Sequence, residues 1–157
     1  MAQLESIKAL LLSGDIAQAQ AAGDSYLNSA LSTADPQMRA LAWEMTARVA
    51  LAGNDLAGAR DAIEHALAIV GEFEILVAAW QTYATAWQVH RQLKDHKTAE
   101  TYRLQSEACI HQIAGSFELD EPLRATFLAA APIQAVLQGR GVERAPRPLS
   151  LRSRPAR

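Results

Sequence analysis

Sulfur and aromatic chemistry are scarce in this chain. One cysteine, Cys109, occurs in 157 residues; without a second thiol an intramolecular disulfide is excluded, and an oxidising compartment is not required. Aromatic residues make up only 6%, so large rings do not dominate the core. The catalytic and nucleotide-binding motifs are missing too. There is no HExxH and no GxxxxGK[ST], and the one close glycine pair, Gly139-Arg140-Gly141, follows no strand and opens no helix, so it is not a dinucleotide loop. Long hydrophobic runs are absent as well. The stretch nearest to a membrane span, residues 75–89, is interrupted by Gln81, Thr82, Thr85 and Gln88 and falls short of the ~20 residues a span requires. At the start, MAQLESIKALLLSGD places Glu5 ahead of its lysine. Its apolar run is too short for a signal sequence, and no small-residue cleavage site follows. A soluble, cytoplasmic chain with no membrane insertion is expected.

Charge is nearly balanced overall, at -2, but not along the chain. From Arg140 onward six arginines face the single acid Glu143, giving +5 and leaving -7 on residues 1–139. An acidic body with a basic tail is not the pattern of a dedicated nucleic-acid binder, whose folded surface is itself basic. The tail, RGVERAPRPLSLRSRPAR, is rich in Pro, Arg and Ser without apolar periodicity, and residues 139–157 are expected to be a disordered basic tail. Its arginines could meet phosphates of nucleic acid or an anionic surface. They could equally rest on the acidic body.

What the sequence does have is alanine and helical spacing. Half of the residues are hydrophobic, alanine is the commonest, and it is the best helix former with the smallest side chain after glycine. Ser13-Gly14-Asp15, Asp35-Pro36, Gly53-Asn54-Asp55 and Lys94-Asp95-His96 interrupt runs with apolar spacings of three and four. These are helix-ending and helix-capping residues, and nothing reads as strand. The turns recur. Ala19, Ala59 and Ala99 each follow one at a separation of 40, and the same shift aligns Trp43 with Tyr83, Val49 with Val89, and Ile7 with Ala47 and Trp87. Several coincidences in one register indicate an internal repeat built on a pair of helices. In such a hairpin, Ala59, Ile63 and Ala66 form a shallow seam that lets the partner helix, with Trp43 and Ala47, approach closely.

Trp43, Ala47, Ala50, the glycine turn at Gly53 and Ala59–Ile63–Ala66-Leu67 together resemble the tetratricopeptide repeat. A third copy (Tyr83, Trp87, His90, Ala99, Arg103, Ser106) lacks the glycine, and a first copy (Gly14, Asp15, Ala19) has a truncated first helix. No copy closes with the proline the motif often carries, and the period exceeds the usual length of about 34. The longer variant is similar to the carboxy-terminal repeat region of bacterial signalling ATPases, cyclases and LuxR-type regulators. Residues 117–137 resemble the segment that closes such arrays, through Asp120, Leu123-Arg124, Phe127-Leu128, Pro132 and Val136-Leu137. The resemblance implies an all-α, right-handed array of antiparallel helical hairpins, a tetratricopeptide-like α-solenoid over residues 1–138 with a C-terminal capping helix. Because the chain starts in a half-length helix, it reads either as a detached carboxy-terminal piece or as a small stand-alone relative.

No catalytic constellation emerges. His65, His90, His96 and His111 form no i, i+4 pair, so neither a metal nor another cofactor is expected. His90 recurs in phase with Ala50, which points to packing at the seam. Cys109 and His111 are two apart on a helix and point away from each other, which leaves an inert buried thiol. Glu44–Arg48 and Arg60–Glu64 read as surface i, i+4 pairs. The resemblance implies a partner groove on the concave side, lined by the first helix of each hairpin. Its candidate residues are Leu41, Glu44, Arg48 and Leu51, then one period later Gln81, Ala84, Gln88 and Arg91, with Gln92 adjacent. Singly these are ordinary polar faces. As a set they suit an extended peptide or a helix. The expected function is a non-catalytic scaffold in a bacterial signalling protein, binding a protein or peptide partner or adjacent domains. The alternative is association with nucleic acid or an anionic surface through the tail.

Overall fold

The structure, a computed structural model, describes residues 2–139. Helices follow one another without any strand among the described residues: α1 (Ala2–Ser13), α2 (Ile16–Leu31), α3 (Pro36–Ala52), α4 (Leu56–Glu72), α5 (Leu76–Gln92), α6 (His96–Ala114), α7 (Pro122–Ala129) and α8 (Ala131–Leu137). The 40-residue register is visible in the bounds themselves, since α3 and α5 have the same length and α4 and α6 begin one period apart.

The turns inside the three hairpins share one construction. Asp15, Asp55 and Asp95 each cap the following helix, accepting the backbone N–H of Gln18, Gly58 and Thr98 at 3.1, 2.9 and 3.2 Å. Each cap contributes roughly 1 kcal/mol. The same three residues donate their own N–H backwards to Leu10, Ala50 and His90 carbonyls at 3.1, 2.9 and 2.9 Å, which closes the preceding helix in the Schellman manner. That closure requires a left-handed residue just before the aspartate. Gly14 (φ 82), Asn54 (φ 61) and Lys94 (φ 64) occupy it. The glycine expected to make the second turn, Gly53, has φ -82, so the left-handed step falls on Asn54 instead. In the third turn a lysine takes a conformation that disfavours L-residues by roughly 1–2 kcal/mol.

The connections between hairpins are not repeated. Asp35 caps α3 by accepting from Gln37 and Met38, with Pro36 in the first turn, whereas Ile75 precedes α5 without any side-chain cap.

Packing runs in sequence order. Each helix packs on the next through α6, and the first helices of the hairpins also meet, α1 with α3 and α3 with α5. The second helices, α2, α4 and α6, make no comparable contact with one another. Three apolar clusters result. Leu4, Ile7, Tyr26, Met45 and Val49 hold α1, α2 and α3 together. The alanine seam lies at the second, where Ala47, Ala59, Ile63, Ala66 and Ala86 are all fully buried. Trp43 sits at its rim, half-buried and stacked on His65 with ring centroids 4.2 Å apart. In the third cluster, Ile133 and Val136 of α8 join Trp87 and Ile110. The described residues therefore end in two short helices rather than one. Arg124 Nε donates to the Ala114 carbonyl at 3.2 Å, and Arg103 to that of Val136 at 3.2 Å, so each guanidinium satisfies a helix-terminal acceptor. The basic tail expected from residue 139 lies, beyond Gly139, outside the described residues. No helix among the described residues is long and apolar enough to cross a membrane.

Candidate functional site

The face formed by α1, α3 and α5 carries the nine residues singled out from sequence, and the structure divides them; Ala84 is buried in the third cluster. Leu41 is buried in the cluster beneath α1 and α2. Leu51 is partly buried against the alanine seam. Arg48, Gln81 and Gln88 are half-buried, while Arg91 and Gln92 are exposed. Gln81 spends its amide on its own helix, donating to the Val77 carbonyl at 3.0 Å. The Arg91 guanidinium lies 5.4 Å from the centroid of the Trp87 ring, within cation–π range.

Glu44 departs most from expectation. Read as half of a surface ion pair, it is 2% exposed, in the junction between α3 and α5. Thr85 Oγ1 donates to its Oε1 at 2.6 Å, and Arg48 Nε stands 3.8 Å from the same oxygen. A short turn of helix separates the two members of this pair, yet one is interior and the other at the surface. Burial pushes the Glu44 carboxyl above its usual range, against the opposing pull of Arg48, the Thr85 hydroxyl and Lys8. Lys8 belongs to α1 and bonds Glu5 at 2.8 Å, a contact that lowers the Glu5 pKa. A polar line thus crosses all three first helices, from Glu5–Lys8 through Arg48–Glu44 to Thr85.

Thr85 and Lys8 were not singled out from sequence. Lys8 had a signal, since it falls in register with Arg48 and Gln88. Thr85 had little, because its register partners are Met45 and Glu5 and a hydroxyl among alanines reads as packing.

No family model matches the chain, and neither a curated protein nor a solved structure matches it. The chemistry must be read from the chain's own groups.

No cluster of three or more metal-ligating side chains forms among the described residues. His90 Nδ1 approaches Asp95 Oδ2 at 3.6 Å, beyond hydrogen-bond range, and its ring tilts against Tyr102 at 5.3 Å, so it packs at the turn of its hairpin. His111 Nε2 meets Glu107 at 3.7 Å. Cys109 is half-buried, and burial pushes its thiol pKa up, which reduces the reactive thiolate.

Proposed function

We propose that the chain is a non-catalytic interaction module, a right-handed tetratricopeptide-like array that binds a peptide or helix along the α1–α3–α5 face. The observation that carries this reading is the asymmetry of packing. First helices pack on one another more than second helices do, which supports a curved array with α1, α3 and α5 on its inner side. On that side Arg48, Gln88, Arg91 and Gln92 offer guanidinium and amide groups, which suit the backbone and polar side chains of a docked segment. A signalling context, with adjacent domains as partners, rests on the sequence resemblance alone.

The test uses a photo-crosslinking side chain placed at Gln88, on the proposed face, or at Gln105, exposed on α6. In extract of the native cell, a discrete adduct should form from position 88 and not from 105. Arg91→Glu with Gln92→Glu should reduce the adduct from position 88 at least fivefold at unchanged melting temperature. Arg48 is unsuited to charge reversal, because a second acid beside buried Glu44 would destabilise the fold. Equal adducts from both positions would sink the reading.

A further inference from the structure

Charge is divided unevenly between the two sets of helices. The first helices carry Lys8, Arg39, Arg48 and Arg91 against Glu5 and Glu44, whereas α2, α4 and α6 carry six acids against three bases. The first helices are thus the basic part of an acidic body. On the second helices the arginines are neutralised in place, Arg60 by Glu64 at 3.1 Å and Arg103 by Glu100 and Glu107 at 2.7 and 2.8 Å. Arg48 differs. The carboxylate it pairs with, Glu44, stands 3.8 Å away, beyond hydrogen-bond range.

Glu44 is equally short of support. It is buried at the junction of α3 and α5 and accepts one hydrogen bond, from the Thr85 hydroxyl at 2.6 Å. Burial opposes its ionised form, while Arg48 on its own helix, Thr85 on α5 and Lys8 on α1 favour it. Lys8 is itself held by Glu5. The helices α2 and α4 also pack on α3, but no charged group of theirs among the described residues acts on Glu44. A buried carboxylate with one donor and a loose cation stays charged only while that cation serves it. Arg48 is half-buried on the partner face, so it is within reach of two acids, Glu44 from inside and an acid of the partner from outside.

Building on the partner face proposed above, we propose that an anionic side chain of the partner docks on Arg48 and that Glu44 takes up a proton from solvent as it does. The incoming group engages the guanidinium that supported ionised Glu44 and sets a like charge beside it, and both effects favour the neutral acid. Neutral Glu44 still accepts from Thr85, so the bond across the α3–α5 junction survives. Linkage then fixes the sign. Because binding takes up a proton, affinity is highest where Glu44 is already protonated and falls as pH rises, by at most about tenfold per pH unit for one proton.

The test titrates the full chain with a rhodamine-labelled decaglutamate peptide, followed by fluorescence anisotropy at fixed low salt from about pH 5.5 to 8.5, above the ordinary carboxylate range. Decaglutamate should bind at least tenfold more tightly than decaglutamine, and its affinity should fall at least threefold across that span. Glu44→Gln, which imitates the neutral acid, should bind at every pH as the parent protein does at its lowest. Arg48→Gln should weaken binding at least fivefold and flatten the profile. Calorimetry of the parent protein in two buffers of unlike ionisation heat should register proton uptake, whatever the stability of the variants. A fall with pH that persists in Glu44→Gln would trace to the histidines and overturn the proposal, as would binding without proton uptake or undiminished binding in folded Arg48→Gln. If the adduct from position 88 forms while decaglutamate binds no better than decaglutamine, anionic docking is wrong and the partner face stands; if neither occurs, both fall.

Discussion

Removing the Thr85 hydroxyl tests the account of Glu44 directly. Thr85→Val keeps the side-chain shape but takes away the donor that reaches the Glu44 carboxyl at 2.6 Å. Leaving a buried hydrogen-bonding group without its partner costs about 1–3 kcal/mol. For a chain of this size, ~1 kcal/mol moves the melting temperature by roughly 2–4 °C, so a fall of roughly 2–12 °C is expected. Glu44→Leu alone should also destabilise, since it leaves Thr85 Oγ1 buried without an acceptor. The double variant should not show the sum of the two. Replacing both polar partners by apolar groups of similar shape is close to neutral, so a coupling of about 1–2 kcal/mol is expected from urea unfolding followed by circular dichroism. The pH dependence supplies the sign. Burial raises the folded-state pKa of Glu44 above its ordinary 4.5, so its contribution to stability is fully present below that unfolded value and is lost as pH rises through the folded value. Glu44→Gln should therefore gain on the parent protein as pH rises, each unit of upward shift corresponding to about 1.4 kcal/mol. Additivity of Thr85→Val and Glu44→Leu within ~0.5 kcal/mol would refute the reasoning. So would a stability difference between the parent protein and Glu44→Gln that stays flat as pH rises above the ordinary carboxylate range.

Other perturbations have equally definite outcomes. Lys94→Gly should stabilise by about 0.5–1 kcal/mol in urea unfolding, because relief of the left-handed strain exceeds the added freedom of the unfolded chain. Asp95→Ala should cost about 0.5–2 kcal/mol by loss of the cap and of its Thr98 bond, read as a lower urea midpoint. Ala59→Leu should overpack the seam by roughly 1–3 kcal/mol, measured the same way. Ile133→Ala should cost about 2–5 kcal/mol, and limited proteolysis should then cut first between α6 and α8.

The architecture was largely legible because it rests on short-range chemistry. Aspartate before a helix, small residues at three- and four-residue spacing and a fixed period are local signals, and each hairpin uses them again. The handling of Glu44 shows where legibility ends. An i, i+4 acid–arginine pair looks the same in sequence whether its helix face meets water or the next repeat. Only the packing of α5 across α3 decides that, and it depends on side chains some 40 positions apart. Asn54 makes a similar point on a smaller scale. Gly53 and Asn54 are both able to turn left, and the hydrogen bond from Asp55 back to Ala50 selects the second.

In each hairpin a single aspartate both ends one helix and begins the other. Such a joint has no spare length. Adding or deleting one residue there must break either the backward bond or the forward cap, so the angle between the two rods is locked. Freedom to vary belongs to the dissimilar links at residues 32–35, 73–75 and 115–121. If the array bends to grip something, it flexes at those links, and the hairpins travel as stiff levers.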